Sequence, residues 1–197
     1  MGLRVVETSP RTEAELVAAC VRGERDAERE LFRREHGRVH ALVYRVLGSA
    51  RDIDDIAQDI FIAVFRALPR FRGESKLSTF IDRIAVRTVY DAINSRKRVP
   101  VPVETVYDRP DGAGMTEARA HAREGLRRLY ATLAELRPEA RVAFALYAID
   151  GRSIAEVAAL TNVTIVTAKL RIWRARRELE RRCAADPVLR EYLGGEP

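Results

Sequence analysis

Between positions 52 and 59 the sequence places Asp52, Asp54, Asp55 and Asp59, with Gln58 among them. Carboxylates this close can hold a divalent cation for hydrolysis. Upstream, His36 and His40 stand four residues apart, a spacing that sets two imidazoles on one helix face and suits zinc. Near the other end, positions 161 to 177 read TNVTIVTAKLRIWRARR. There Lys169, Arg171, Arg174, Arg176 and Arg177 surround Leu170 and the chain's one tryptophan, Trp173. Cations at that density neutralise phosphates or donate to guanine edges, while leucine and tryptophan can contact thymine methyls or the sugar backbone.

Only the last of these chemistries has its supporting residues. Gly37, Arg38 and Val39 separate the two histidines. The general-base glutamate of a metalloprotease is missing, and Arg38 repels a cation. The carboxylates have no matched second set of ligands and no phosphate-cradling glycine loop. No metal, no cofactor and no enzyme activity is therefore expected. Cys20 and Cys183 are far apart and form no ligand spacing, so two reduced thiols are expected. The net charge of +6 and pI near 9.7 favour a polyanionic partner. A hydrophobic share of 47% supplies packed cores and argues against disorder. No apolar run approaches the roughly 18 residues of a membrane span, and the first twelve positions lack a signal-peptide core. The expectation is a cytoplasmic protein that does not insert into membranes.

The elements that must carry these residues are helical almost throughout. Thr12 with Glu15 forms a capping-box signature for a short helix to about Arg22, stopped by Gly23. A longer helix after Asp26 runs to Leu47 on Leu31, Val39, Leu42, Val43 and Val46, and Gly48 closes it. Asp52 can cap a third helix, in which Ile53, Ile56, Ile60, Phe61, Val64, Phe65 and Leu68 recur at helical spacing. A fourth follows Ser75 on Leu77, Phe80, Ile81, Ile84, Ala85, Thr88, Ala92 and Ile93. Positions 99 to 116 hold Pro100, Pro102, Pro110, Gly112 and Gly114 and read as a flexible linker. Beyond it come a helix from Glu117 with Leu126, Leu129, Leu133 and Leu136, then one that Pro138 opens with Val142, Leu146 and Ile149.

Asp150-Gly151 is a turn, and Ser153 with Glu156 is a second capping box. Asn162 tolerates the left-handed conformation, and Thr164 can cap the basic helix. At about 100° per residue, Ile165, Ala168, Ile172, Ala175 and Leu179 share one face and should pack inward. Val166, Leu170, Trp173, Arg174 and Arg177 then point outward, flanked by Lys169 and Arg176. A short helix, a turn and a second helix with a basic outer face is the helix-turn-helix plan. Thr164 and Thr167 offer hydroxyls and unpaired amides to a phosphate.

Two stretches carry a resemblance. DIDDIAQDIFIAVFRALPRFRGESKLSTFIDRIAVRTVYDAINSRKR, positions 52 to 98, resembles the second conserved region of the bacterial extracytoplasmic-function (ECF) sigma factors of the sigma-70 family. LRPEARVAFALYAIDGRSIAEVAALTNVTIVTAKLRIWRARRELERR, positions 136 to 182, resembles their fourth region. The resemblance implies an all-α chain of two small helical domains. An extension (1–12) precedes a region 2 domain (13–98). A linker (99–116) leads to a region 4 helix-turn-helix domain (117–183) and a tail (184–197).

The function so implied is that of a transcription initiation factor, which binds core RNA polymerase and directs it to promoters. Asp52, Asp54, Asp55, Gln58 and Asp59 would dock on the core enzyme, at the clamp coiled coil of its largest subunit. Arg72, Ser75, Lys76, Ser78, Thr79 and Phe80 would form the loop that receives an unstacked base of the minus-ten element, and Arg83, Arg87 and Thr88 would contact the opened strand. Thr164, Thr167, Lys169, Leu170, Arg171, Trp173, Arg174 and Arg177 would read the minus-thirty-five duplex. The resemblance also implies an anti-sigma partner, and the chain is expected to be a monomer. Three positions depart from the family pattern. Phe80 stands where tryptophan is usual, Arg87 where asparagine is frequent, and Leu170 where serine is common, so base preferences do not transfer from relatives. Two rival readings are a stand-alone helix-turn-helix regulator and a metal-dependent nuclease built on the acidic helix.

Overall fold

The structure is a computed structural model and describes residues 11–48, 52–96 and 117–193. The expected linker at 99–116 and most of the extension at 1–12 lie outside the described residues. Among the described residues the secondary structure is helical, in two modules. The first holds α1 (Glu13–Val21), α2 (Arg25–Leu47), α3 (Ile53–Ala67) and α4 (Leu77–Arg96). The second holds α5 (Glu117–Ala134), α6 (Pro138–Phe144), α7 (Ile154–Leu160), α8 (Ile165–Cys183) and α9 (Pro187–Leu193).

Local chemistry accounts for most boundaries. The Thr12–Glu15 capping box opens α1, with the Thr12 amide donating to Glu15 Oε2 at 2.9 Å. Gly48 ends α2 in the left-handed region, at φ +66°. Asp52 stands at the N-cap of α3, but its side chain makes no capping hydrogen bond there. Pro138 takes the first turn of α6, where a missing N–H costs nothing. Ser153 and Glu156 form the second box at α7, and Asn162 turns the chain at φ +52° before Thr164 caps α8.

The core stripes of α2 and α3 are largely those expected. Leu31, Val39, Leu42, Val43 and Val46 are buried in one core with Ile53, Ile56, Ile60, Phe61 and Val64. Each such side chain contributes about 1.5–3 kcal/mol relative to exposure. Helix α4 differs. Leu77, Ile81, Ala85 and Ile93 are buried as expected, but so are Asp82, Val86 and Val89. The cause is tertiary: α4 packs on its own module and also on α6 and α7 of the second. The end of α2 likewise meets the turn after α6.

Three further features depart from the sequence reading. After α6 the chain widens into a π-helical turn, Ala145–Ile149, closed by the Asp150 amide donating to the Ala145 carbonyl at 2.9 Å. The tail contains α9, which Asp186 caps by accepting from the Val188 and Leu189 amides at 2.9 and 3.2 Å. Ile165, expected on the inner face of α8, is 58% exposed, because the core starts one turn later at Ala168.

Candidate nucleic-acid interface

Helix α8 is held from beneath by Ala168, Ile172, Ala175 and Leu179, all buried. Its start is fixed by the Thr164 hydroxyl, which accepts from the Thr167 amide at 3.2 Å. What remains outside is a stripe of Val166, Leu170 and Trp173, exposed despite their size. The cations around them divide into two sets. Towards the end of the helix Arg176 pairs with Glu180 at 2.9 Å, and Arg181 and Arg182 pair with Glu178 at 2.7 and 2.6 Å. The Arg181 hydrogen bond holds the Glu178 carboxyl below its ordinary range. Among the described residues, Lys169, Arg171 and Arg174 have no acidic partner, and Arg177 instead lies over the Trp173 ring at 5.4 Å. The half of the helix that follows the turn thus presents uncompensated positive charge.

The loop before α4 is anchored from a distance. Glu13 of α1 accepts from the Leu77 amide at 2.8 Å and so caps α4, while Arg38 of α2 donates to the Ser78 carbonyl at 3.3 Å. Phe80 is half-buried against Phe71, with ring centroids 5.0 Å apart. Ser75, Ser78, Thr79 and Thr88 are half-buried, and Arg72, Lys76, Arg83 and Arg87 are exposed. The structure gathers these positions on the loop and outer side of α4.

On α3, Asp54, Asp55, Gln58 and Asp59 are exposed, and Asp52 is half-buried. Asp54 approaches His40 Nε2 at 3.4 Å. Beside them lies a groove that sequence patterning did not single out, of about 390 Å³, lined by Phe32, His36, Phe61, Ile62 and Phe65 with Asp54 and Gln58 on its rim. The rings of Phe32 and Phe61 meet at 4.7 Å, and Phe32 and His36 at 4.8 Å. Its one signal in the sequence is a pair of large apolar residues off the core stripes, Phe32 and Ile62, and both are exposed. His36 and His40 belong to this aromatic cluster, and no group of three potential metal ligands occurs among the described residues. A second apolar groove, about 460 Å³, runs beside α8 between Leu129, Phe144, Tyr147, Trp173 and Cys183.

Comparison with known proteins places both modules in one family. Sigma-70 region 2 matches residues 31–99, and Sigma-70, region 4, matches residues 126–179. The chain is 34% identical over 172 residues to the ECF RNA polymerase sigma factor SigM of Mycobacterium tuberculosis, covering 87% of this chain and 84% of that one. The chain belongs to the ECF sigma factors. It is also 30% identical over 188 residues to the ECF RNA polymerase sigma-E factor of Escherichia coli K12, covering 91% of this chain and 97% of that protein. Among solved structures it is similar to CnrH in complex with the cytosolic domain of CnrY, at TM-score 0.60 and 27% identity, covering 87% of this chain and 96% of that one. In this sigma factor α2–α4 hold the region 2 match, and α5–α8 hold region 4. Its task is that of the family: to bind core RNA polymerase and direct it to promoter DNA. No described helix is long and apolar enough to cross a membrane.

Neither thiol belongs to a group of three potential metal ligands among the described residues. Cys20 and Cys183 are both buried free cysteines, and burial pushes each thiol above its ordinary range.

Proposed function

We propose that this sigma factor engages its two kinds of partner through surfaces of opposite charge. Region 2 docks on core RNA polymerase through Asp52, Asp54, Asp55, Gln58 and Asp59, with the aromatic groove beside them taking apolar contacts. Arg72, Ser75, Lys76, Ser78, Thr79 and Phe80 receive an unstacked minus-ten base, and Arg83, Arg87 and Thr88 hold the opened strand by charge and hydrogen bonding. Region 4 enters the major groove of the minus-thirty-five element with α8. Thr164, Thr167, Lys169, Arg171, Arg174 and Arg177 serve phosphates and base edges, while Leu170 and Trp173 meet thymine methyls or sugars. The protein performs no chemistry of its own, works in the cytoplasm, and is held inactive by an anti-sigma partner. The similar CnrH structure was solved with the cytosolic domain of CnrY bound, which supports a protein partner for this chain.

What carries this reading is the sorting of charge on α8. Its terminal arginines are neutralised by Glu178 and Glu180, whereas Lys169, Arg171 and Arg174 have no acidic partner among the described residues and surround an exposed apolar stripe. Run-off transcription with purified core polymerase tests it. A promoter-dependent transcript is expected. A gel shift without transcript would mark a stand-alone regulator, and magnesium-dependent cutting a nuclease.

A further inference from the structure

Helix α4 starts at a residue that cannot cap it. The Lys76 carbonyl accepts from the Thr79 and Phe80 amides at 3.0 and 3.2 Å, so Lys76 holds the N-cap position. Its ammonium group carries donors and no acceptor, and cannot bond the orphan amides of the first turn. An oxygen must come from elsewhere. Glu13 of α1 supplies it, accepting from the Leu77 amide with Oε1 at 2.8 Å across 64 positions of sequence. Leu77 is buried, and an unbonded amide there loses hydration without return. A carboxylate also suits the partial positive charge of a helix start.

Glu13 is itself held in place. The Thr12–Glu15 box fixes the first turn of α1, and Leu16, Ala19 and Cys20 bury the helix from beneath. The next residue along α4 is tied from a different side. Arg38 of α2 donates with Nη2 to the Ser78 carbonyl at 3.3 Å, while its Nε goes to Glu35 at 2.7 Å and its Nη1 to Asp82. Two other helices thus grip consecutive residues, Leu77 by an acceptor and Ser78 by a donor. Arg72, Ser75 and Lys76 stand just before this point, and Thr79 and Phe80 just after it. Helix α1 lies outside the Sigma-70 region 2 match, which begins at residue 31.

We propose that Glu13 is a positioning residue for minus-ten recognition, tying the start of α4 so that the segment from Arg72 to Phe80 has the shape of a base pocket before DNA arrives. This rests on the minus-ten assignment proposed above. Two kinds of strand contact meet at this loop. Phosphates are drawn to the exposed Arg72, Lys76 and Arg83 whatever the loop's shape, because charge attraction needs no formed pocket. Capture of an unstacked base does need one. The cost of ordering the loop therefore falls on the matched strand alone. A loop ordered in advance raises discrimination between strands without raising affinity for all of them. A carboxylate repels phosphates, so Glu13 acts through the loop and does not touch the strand.

The test uses holoenzyme assembled from core RNA polymerase and the full chain. The probe is a pool of fork-junction duplexes whose single-stranded minus-ten positions are randomised, sequenced before and after retention by holoenzyme. The wild type is compared with Glu13→Ala, Glu13→Gln and Glu156→Ala. Glu13→Gln keeps the acceptor and drops the charge. Glu156→Ala opens the cap of α7 in region 4 and stands for a chain weakened elsewhere. The wild type should enrich a narrow set of strands. Glu13→Ala should lower the ratio of the best strand to the pool average by about tenfold, the worth of one hydrogen bond to a charged acceptor, with core association on a sizing column unchanged. Glu13→Gln and Glu156→Ala should select as the wild type does. Full selectivity in Glu13→Ala overturns the role. So does an equal loss in Glu156→Ala, which would trace the effect to stability, or in Glu13→Gln, which would trace it to charge. A Glu13→Ala chain that loses its helices by circular dichroism also overturns it, since a loop anchor does not carry the fold. A wild type that enriches no strand removes the minus-ten assignment and the role of Glu13 with it, whereas every other failure leaves that assignment standing.

Discussion

Arg174 and Arg176 stand two residues apart on α8, yet only one is held by a carboxylate. Arg176 is engaged by Glu180, while Arg174 is exposed and without an acidic partner among the described residues. Replacing Arg174 by alanine should weaken binding to a minus-thirty-five duplex by about 1–3 kcal/mol, and leave association with core polymerase unchanged. Gel shift and pull-down measure the two separately. An equal loss in both would assign Arg174 to the polymerase surface instead. Gly48 shows the opposite case, a residue without a side chain that tolerates no other. Its φ of +66° disfavours any Cβ, and the Tyr130 ring occupies the place where one would stand. Gly48→Ala should therefore cost at least about 1–2 kcal/mol, the penalty of a left-handed residue, read in a denaturant melt. A variant as stable as the wild type would show that Tyr130 does not pack there in solution.

Some helix starts in this protein rest on side chains that titrate. At α7 the Ser153 hydroxyl and then its amide donate to the Glu156 carboxylate, and both hold that carboxyl below its usual value of 4.5. A lowered carboxyl pKa means the folded state binds the proton less readily than the unfolded state. The stabilisation is thus present above the ordinary value and lost as pH falls through the folded one. The difference in thermal midpoint between Glu156→Ala and wild type should be largest at neutral pH and shrink in acid. A difference independent of pH would mean that the box acts by packing alone. Glu124 on α5 follows the same sign. Hydrogen bonds from Arg127 and Arg128 lower it to about 2, although its exposure leaves solvent to screen most of the benefit. Helix α4 is started differently, by Glu13 from another helix. Truncating Glu13 therefore reaches a loop that is remote in sequence.

Across the whole molecule, the acidic face of α3 and the unpaired cations of α8 lie on different modules although the modules touch. Asp55→Arg places a cation in the middle of the acidic face of α3. Core affinity should fall by about tenfold or more, while full-chain binding to a minus-thirty-five duplex holds or rises slightly, since net positive charge increases. Unchanged core affinity on a sizing column would remove α3 from the docking role.

The one-dimensional pattern contained the helices because their determinants are local: apolar spacing, capping boxes at Thr12 and Ser153, and turn residues at Gly48, Gly151 and Asn162. It also contained the outer face of α8, since helical geometry alone turns Leu170, Trp173 and Arg174 away from Ala168, Ile172 and Ala175. Pairings between distant residues carry no such period. The aromatic groove between α2 and α3, the Glu13 cap, the burial of Asp82 and the seat of Arg141 on α2 each join positions separated by many residues. Only the packed chain brings their partners within reach, because hydrogen bonds and ion pairs act over a few ångströms of space and not along the sequence.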